Sequence, residues 1–426
     1  MSPIVAETKY RIVLLCGLVM FLDGFDTQAI SYIAPLIAKE WNLSRELLGL
    51  IFSSALTGLM AGYLVLSPLS DRFGHRRMLL ASTFTFGLFT LTTVFAGSST
   101  AIIALRFLAG VGLGAAIPSA VALTTEYTPQ RLRATFVLVI YCGFSLGFIA
   151  AGVAATVLLP VYGWRSLLWV GAVAPLALAV FLFGWLPGPL DFVPVEQARR
   201  SALTDIFRSG RGAATLLLWM VFIINLAEFY ALQSWLPTIL TGLHYSISTI
   251  ALATSLTTAG GIAAAFVVGP AMDRLGSYGS LSIVYLGGVV FLALLGAALT
   301  RAGWMLLTAA FFAGFCVSGG MKSVIALAAV FYPATVRSTG VGWALGIGRI
   351  GGIAGPWLFG MLLGMNVTPA NAFYIAAIPM LLASAAVMFM GRLGRSEGLA
   401  RSGGHNVVAT ASDQREVAIY SNSSGK

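Results

Sequence analysis

The stretch Ser67-Pro68-Leu69-Ser70-Asp71-Arg72-Phe73-Gly74 follows the second long apolar run of the chain and has a counterpart later on. The counterpart is Gly269-Pro270-Ala271-Met272-Asp273-Arg274-Leu275-Gly276, which follows the eighth apolar run, 202 residues later. Equal loops at equal positions predict a duplicated six-helix unit, with both copies in the same orientation. A second pair of loop sequences repeats at an offset of 204 residues: Pro129 with Arg133, and Pro333 with Arg337.

The composition indicates a protein that lies almost entirely in a membrane. Of its 426 residues, 58% are hydrophobic and only 9% are charged, whereas a soluble domain carries about 25% charged residues. A bilayer is crossed by a helix of about 20 apolar residues. Twelve runs reach about that length: 12–36, 47–70, 78–97, 100–123, 134–158, 165–187, 213–239, 247–271, 280–300, 303–330, 337–364 and 371–391. The sequence therefore predicts an all-α membrane protein with twelve transmembrane helices in two pseudo-symmetric six-helix bundles.

The longest polar connection, 188–212, lies between the sixth and seventh runs. It predicts an N-terminal bundle over 1–187, a cytoplasmic linker over 188–212, a C-terminal bundle over 213–391 and a disordered cytoplasmic tail over 392–426. The N-terminus, the even-numbered connections and the tail hold eighteen Lys and Arg, and the odd-numbered connections hold four. This asymmetry predicts that both termini lie in the cytoplasm.

The same distribution accounts for the net charge of +10, because the cations lie in short loops and do not form a surface for nucleic acid. Cys16, Cys142 and Cys316 each lie in an apolar run, which predicts buried thiols and no disulfide framework. The three histidines are far apart in sequence, and neither a nucleotide-binding motif nor a catalytic cluster is present. The sequence therefore predicts no enzyme activity, no cofactor, no metal site and no nucleic-acid partner.

Two carboxylates lie inside the first apolar run, in the stretch Leu22-Asp23-Gly24-Phe25-Asp26-Thr27. A charged side chain at the bilayer centre costs about 2.5 to 3.5 kcal/mol on insertion scales. A separation of three residues puts both acids on one helical face. We predict that Asp23 and Asp26, with Glu228 of the seventh run, bind and release protons during transport. The alternative is that one acid of the first run caps a helix break at Gly24.

Three cations also lie inside apolar runs: Arg106, Lys322 and Arg349. A buried cation can bind an anion, since Arg offers a carboxylate a planar, bidentate fork in a low-dielectric cavity. The alternative is that each cation neutralises one of the three buried acids, and Lys322 with Glu228 is a possible pair. Phe25, Gln233 and Trp235 are further candidates for contact with the substrate.

The loop Asp71-Arg72-Phe73-Gly74-His75-Arg76 resembles the cytoplasmic loop motif of the major facilitator superfamily, with His75 where Arg is usual. The stretch Arg106–Gly114 resembles the fourth-helix motif of that superfamily, and Gly163-Trp164-Arg165 its entry to the sixth helix. The resemblance covers residues 10 to 391. It implies a two-lobe carrier in which the halves rock around a central site.

Within that superfamily, Asp23-Gly24-Phe25-Asp26 resembles the first-helix motif of the aromatic acid:proton symporters. Ser234–Thr238, Arg337–Trp343 and Gly346–Gly351 are similar to the same family. The resemblance implies import of compounds such as 4-hydroxybenzoate, protocatechuate or benzoate across a bacterial inner membrane. Glu228 and Lys322 depart from the usual residues of the family at their positions.

The charged loop residues are predicted to form a gate, because short loops bring their charges onto helix ends. The alternative is that they only set the membrane topology, which explains the arginines but not Asp71. The predicted gating residues are Asp71, Arg72, Arg76, Asp273, Arg274, Glu126 and Arg133.

Taken together, these features predict a proton-coupled transporter that imports an aromatic or related organic carboxylate by alternating access. The predicted partners are this substrate, protons and the lipid bilayer, and the predicted oligomeric state is a monomer. The alternative is a proton-coupled exporter of drugs or metabolites on the same fold.

Overall fold

A computed structural model describes residues 3–128, 133–186, 206–207, 211–332 and 337–393 of the chain. Within these ranges the backbone forms thirteen helices and no strand. Helices are the expected outcome, because a helix satisfies its own backbone hydrogen bonds where no water is present. They are α1 (Pro3–Trp41), α2 (Arg45–Phe73), α3 (His75–Val94), α4 (Ser99–Leu113), α5 (Ala116–Glu126), α6 (Arg133–Tyr162), α7 (Arg165–Trp185), α8 (Gly212–Gly242), α9 (Ile247–Leu275), α10 (Ser277–Ala298), α11 (Gly303–Phe331), α12 (Arg337–Gly364) and α13 (Pro369–Leu393).

The twelve predicted membrane spans are confirmed, because twelve segments are long and apolar enough to cross a membrane. The fourth span, Ser99–Thr124, is built from two helices, α4 and α5, which are separated at Gly114 and Ala115. Gly114 lies against the backbone of Gly62 in α2, where a side chain would collide. The interruption therefore lies at a close contact between two helices of one half.

The predicted internal repeat is visible in the packing of the two halves. In the N-terminal half α1 packs against α6 and α2 packs against α4; in the C-terminal half α8 packs against α12 and α9 packs against α11. The third equivalent pair is α3 with α7 in the first half and α10 with α13 in the second. A hydrogen bond of 2.7 Å between the hydroxyls of Ser282 and Ser384 joins α10 to α13.

The duplicated loop forms the same turn in both halves. Gly74 separates α2 from α3 with a φ of 86°, and Gly276 separates α9 from α10 with a φ of 93°. Glycine adopts a positive φ without the steric cost that a Cβ atom would bring. The glycine at the end of each copy of the motif therefore reverses the chain between two membrane helices with a single residue.

The two halves meet along three pairs of helices: α2 with α12, α6 with α9, and α1 with α8. The Arg45 guanidinium donates to the Leu363 carbonyl at 2.7 Å, and the Ser53 hydroxyl donates to the Ile353 carbonyl at 2.7 Å. These bonds lie at the end of the bundle where α1 ends and α2 begins. At that end, the halves are held together by direct hydrogen bonds.

Two predictions on the ends of the bundles lie outside the described residues. Most of the predicted linker, and the tail from residue 394 onward, fall in the undescribed ranges. The cysteine prediction is wrong at one position: Cys16 and Cys316 are buried, but Cys142 is exposed. Cys142 of α6 lies within electrostatic range of Lys322, which belongs to the other half.

Candidate functional site

The two acids of the first span lie in the middle of an unbroken helix, α1. Each is only 3% exposed. The helix continues through Gly24, so the alternative that one acid caps a helix break is wrong. Gly24 instead lies against the backbone of Phe144 in α6, where a Cβ atom would collide with the carbonyl group. Gly24 thus allows α1 and α6 to pack closely beside the two carboxylates.

Asp26 forms a bidentate ion pair with Arg106 of α4. Its carboxylate oxygens accept from the two terminal guanidinium nitrogens at 2.8 and 2.5 Å. Both side chains are almost completely buried, at 4% and 1% exposure. Such a pair is a strong interaction, because the planar guanidinium group matches the carboxylate in geometry and the site excludes water. At Arg106, therefore, the structure has a neutralised resident pair and no open cation for a substrate.

Arg349 of α12 has a different environment, formed by phenolic hydroxyls. One of its terminal nitrogens donates to the Tyr230 hydroxyl at 2.9 Å, and the other lies 3.4 Å from the Tyr63 hydroxyl. The guanidinium carbon also lies 5.4 Å from the centre of the Tyr63 ring, within the range of a cation–π interaction. Tyr141 of α6 is a third phenol within electrostatic range of the same cation. We call Arg349 with Tyr63, Tyr141 and Tyr230 the Arg349 cluster.

The Arg349 cluster bridges the two halves of the protein. Tyr63 and Tyr141 belong to the N-terminal half, whereas Arg349 and Tyr230 belong to the C-terminal half. Tyr63 could not be predicted as part of this site, because its contact with Arg349 spans 286 residues. Nothing in the sequence distinguishes Tyr141 and Tyr230 from the many other aromatic residues of the apolar runs.

Asp23 lies next to the Arg349 cluster but is not bonded to it. Arg349, Asp26 and Arg106 are all within electrostatic range of its carboxylate. Among the hydrogen bonds and ion pairs of the described residues, however, none includes Asp23. The two acids of α1 are therefore distinct in this structure: Asp26 is paired with a cation, and Asp23 is a buried carboxyl group beside an arginine that contacts only neutral hydroxyls.

The suggested pair of Lys322 and Glu228 is not formed. The Lys322 ammonium donates to the Gly261 carbonyl of α9 at 3.1 Å and lies on an exposed part of α11. Glu228 is 6% exposed and has no cation partner in the described ranges. The prediction was wrong because sequence spacing does not reveal that the two side chains point to different neighbours.

Gln233 and Trp235 of α8 make contacts inside the protein that hold helices together. The Gln233 amide donates to the Thr257 hydroxyl at 3.1 Å, and the Gln233 backbone carbonyl lies 3.4 Å from the Gln28 amide nitrogen of α1. Trp235 is fully buried, and its indole nitrogen donates to the Pro356 carbonyl at 2.8 Å. In this conformation both residues belong to the contact region between helices, and their predicted contact with substrate remains a prediction.

Phe25 lies between the two acids in sequence, but its ring lines a different surface. It contributes to an apolar groove formed by α1, α6 and α7, together with Phe21, Leu22, Val153 and Val170. Helical geometry explains the difference, because residues one or two positions apart do not face the same direction. The structure therefore does not bring Phe25 together with the Arg349 cluster.

The loop residues predicted to form a gate are only partly described. Arg76 donates to the Phe183 carbonyl at the end of α7 at 3.0 Å, where a cation also complements the helix dipole. His75 lies 3.5 Å from Glu126, and partial burial raises the pKa of Glu126 above its usual range. The Arg274 side chain is exposed. The remaining four side chains lie outside what the structure describes: Asp71, Arg72, Asp273 and Arg133.

Comparison with known proteins gives consistent matches over nearly the whole chain. The family model described as Major Facilitator Superfamily matches residues 16–298 and 218–413. The 4-hydroxybenzoate transporter PcaK of Pseudomonas aeruginosa is 38% identical over 421 residues, which cover 91% of this chain and 94% of that protein. The gallate transporter of Pseudomonas putida is 33% identical, with 91% and 93% covered.

Solved structures share the fold at lower sequence identity. The crystal structure of a D-xylose-proton symporter superposes with a TM-score of 0.75 at 18% identity, covering 89% of this chain and 97% of that chain. At this level of identity the likeness bears on the fold alone. It agrees with the two six-helix halves that the packing shows.

Proposed function

The chain belongs to the Major Facilitator Superfamily, and on that premise we propose that it imports an aromatic carboxylate together with protons. Like the relatives that it resembles, the chain is a transporter and not an enzyme. The observation that carries the proposal is the Arg349 cluster, a half-buried cation between the halves whose hydrogen bonds are to neutral phenols. The names of the relatives support an aromatic acid as substrate, since 4-hydroxybenzoate and gallate are hydroxylated benzoates.

Arg349 is the cation that suits the substrate carboxylate. Arg106 is held by a bidentate ion pair, and a substrate would have to displace a buried carboxylate from it. Arg349 loses only hydrogen bonds to Tyr230 and Tyr63 when it turns to a carboxylate. A charged hydrogen bond contributes about 1.5 to 3 kcal/mol, and a bidentate ion pair in a low dielectric exceeds it. The tyrosine rings around the cation then offer aromatic faces and hydroxyls to a benzenoid ring.

Asp23 couples the proton to the substrate in this proposal. An ionised Asp23 and a substrate carboxylate both need the positive charge of Arg349, which lies within electrostatic range of Asp23. Because two buried anions cannot share one cation without a large cost, binding of the substrate favours protonation of Asp23. Proton and substrate therefore enter the site together. The Asp26–Arg106 pair stays neutral and supports α1 against α4 through the cycle.

The contacts between the halves support a state that is closed at one end. Gln28, in the middle of α1, bonds to the Gln233 carbonyl, and Arg45 and Ser53 bond to the other half at the end of the bundle where α1 ends. The distribution of Lys and Arg predicts that both termini lie in the cytoplasm of a bacterium. In that topology the end of the bundle where α1 ends is periplasmic. The described conformation would then face inward, and substrate entry requires separation of these contacts while the loops at the cytoplasmic end close. The chain is proposed to work as a monomer.

A binding measurement tests the role of Arg349. Calorimetric titration of the purified protein with 4-hydroxybenzoate is expected to give binding, and Arg349→Gln should weaken it about 30- to 150-fold, which corresponds to about 2 to 3 kcal/mol. Arg165→Gln is the matched control, because Arg165 is an exposed arginine at the start of α7. Equal affinity of Arg349→Gln and the unaltered protein would refute the proposed site.

A further inference from the structure

Glu228 of α8 is a buried carboxyl group that the proposed substrate site does not use. It is 6% exposed. Within the part of the chain that the structure describes, no hydrogen bond or ion pair includes it, and no charged group lies close enough to stabilise an ionised carboxylate. An ionised carboxylate in such a place is costly unless a counter-charge or a hydrogen-bond donor reaches it.

The charged side chains on the helices around α8 do not pair with Glu228 in the part of the chain that the structure describes. α8 packs against α1, α9, α11 and α12. On the central parts of these helices the titratable or charged side chains are Asp23, Asp26, Tyr32, Cys316, Lys322 and Arg349. Asp26 and the two cations have other partners, as described above, and none of the six forms an ion pair or hydrogen bond with Glu228.

Two further unsatisfied polar atoms lie inside the C-terminal half, and one of them is on the same helix as Glu228. Asn225 is one helical turn before Glu228, on the same face of α8. Its amide nitrogen donates to the Val317 carbonyl of α11 at 3.2 Å, but its oxygen has no partner in the structure. The hydroxyl of Tyr285, in α10, is also buried without a partner, and Asn225 and Tyr285 both lie beside Gly320. Buried polar atoms normally have hydrogen-bond partners. The Asn225 oxygen and the Tyr285 hydroxyl are therefore available to a partner that is present in only part of the transport cycle.

We propose that Glu228 is a second proton-binding site, in the C-terminal half, that is loaded and emptied once in every transport cycle. The inference rests on the proposed symport and deepens it. Asn225, one helical turn before Glu228, supplies an acceptor oxygen without a partner that a protonated carboxyl group can use. Asp23 and Glu228 then bind one proton each, in different halves.

The charge balance makes the inference testable. A substrate with one carboxylate carries one negative charge, so a single proton gives neutral transport and two protons move one net positive charge inward. Transport that moves net charge responds to a membrane potential, whereas neutral transport does not. Passive leakage of a protonated aromatic acid is also neutral, and the potential therefore separates carrier from leak.

The experiment uses the full chain in proteoliposomes with labelled 4-hydroxybenzoate. An inside-negative potassium diffusion potential is expected to raise initial uptake by the unaltered protein about fivefold or more. Glu228→Gln should retain uptake driven by a pH gradient and lose the response to potential. Glu46→Gln, which removes a carboxylate at the start of α2, is the control and should respond like the unaltered protein.

Several outcomes overturn the inference. One is uptake by the unaltered protein that depends on the pH gradient but not on the membrane potential. Another is a response of Glu228→Gln to the potential that equals that of the unaltered protein. If neither gradient drives uptake, the proposed symport itself fails, which is a distinguishable result. If Glu228→Gln does not fold, Glu228→Asp is compared with the unaltered protein by infrared spectroscopy. A protonated-carboxyl band at different frequencies in Glu228→Asp and the unaltered protein supports the proposed proton-binding site. An identical band in both proteins refutes it.

Discussion

Four charged residues near the bilayer centre have different functions, and the partners of each residue determine its function. Asp26 and Arg106 neutralise each other, so together they are a buried pair of no net charge. Asp23 and Arg349 lie within electrostatic range but are not bonded to each other. The first arrangement is stable and closed, and the second leaves both groups able to change partner. Their functions therefore differ although all four residues are charged and lie within membrane spans.

Asp26→Asn should destabilise the protein strongly. The change leaves the Arg106 guanidinium buried without a counter-charge, and breaking a buried pair in this way costs about 3 to 5 kcal/mol. The measurement is thermal unfolding of the purified protein, followed by tryptophan fluorescence. Adding Arg106→Gln should recover most of the lost stability, because a neutral amide replaces the unpaired cation.

Arg165→Gln is the control for that comparison, since its ion pair with Glu40 is 44% exposed on both sides and should contribute at most about 1 kcal/mol. An Asp26→Asn protein that melts at the same temperature as the unaltered protein would show that the pair does not support the fold.

At the scale of helices, glycine faces determine how closely the elements of each half approach. Gly24 in α1 faces Phe144, and Gly147 in α6 faces the backbone of Phe21 and Phe25. The sequence alone does not reveal these contacts. It left open a helix break at Gly24, because the sequence does not show which helix Gly24 contacts. Packing partners are set by the tertiary structure, and the apolar runs alone do not encode them.

Gly24→Ala should disturb the contact of α1 with α6 and lower stability by about 1 to 3 kcal/mol, as overpacking does in a dense interior. Gly17→Ala is the matched control in the same helix, since its Cβ atom would meet only the Cα atom of Ile140, at 4.0 Å. Thermal unfolding and uptake are measured on both variants. Equal loss in the two variants would mean that helix propensity or expression, and not the contact with Phe144, is responsible.

At the scale of the whole molecule, the twelve spans and the two-fold repeat could be predicted because both signals are local. A run of apolar residues predicts its own helix, and the duplicated loops with Gly74 and Gly276 predict the halves. The ion pair of Asp26 with Arg106 joins residues 80 positions apart, and the contact of Arg349 with Tyr63 joins residues 286 apart. Sequence reasoning supplied the charged residues of the candidate site but not their pairing, their phenolic neighbours or the closed end of the bundle.

The central claim is that an inward proton gradient drives uptake of an aromatic carboxylate. Its most direct test is uptake of labelled 4-hydroxybenzoate into proteoliposomes with an acidic exterior, where protein-free liposomes and Arg349→Gln proteoliposomes correct for passive entry of the acid. We predict accumulation above both controls that a protonophore abolishes, and competition by benzoate but not by 4-hydroxybenzyl alcohol, which lacks the carboxylate. Uptake that equals the controls, or that persists without the proton gradient, would contradict the account.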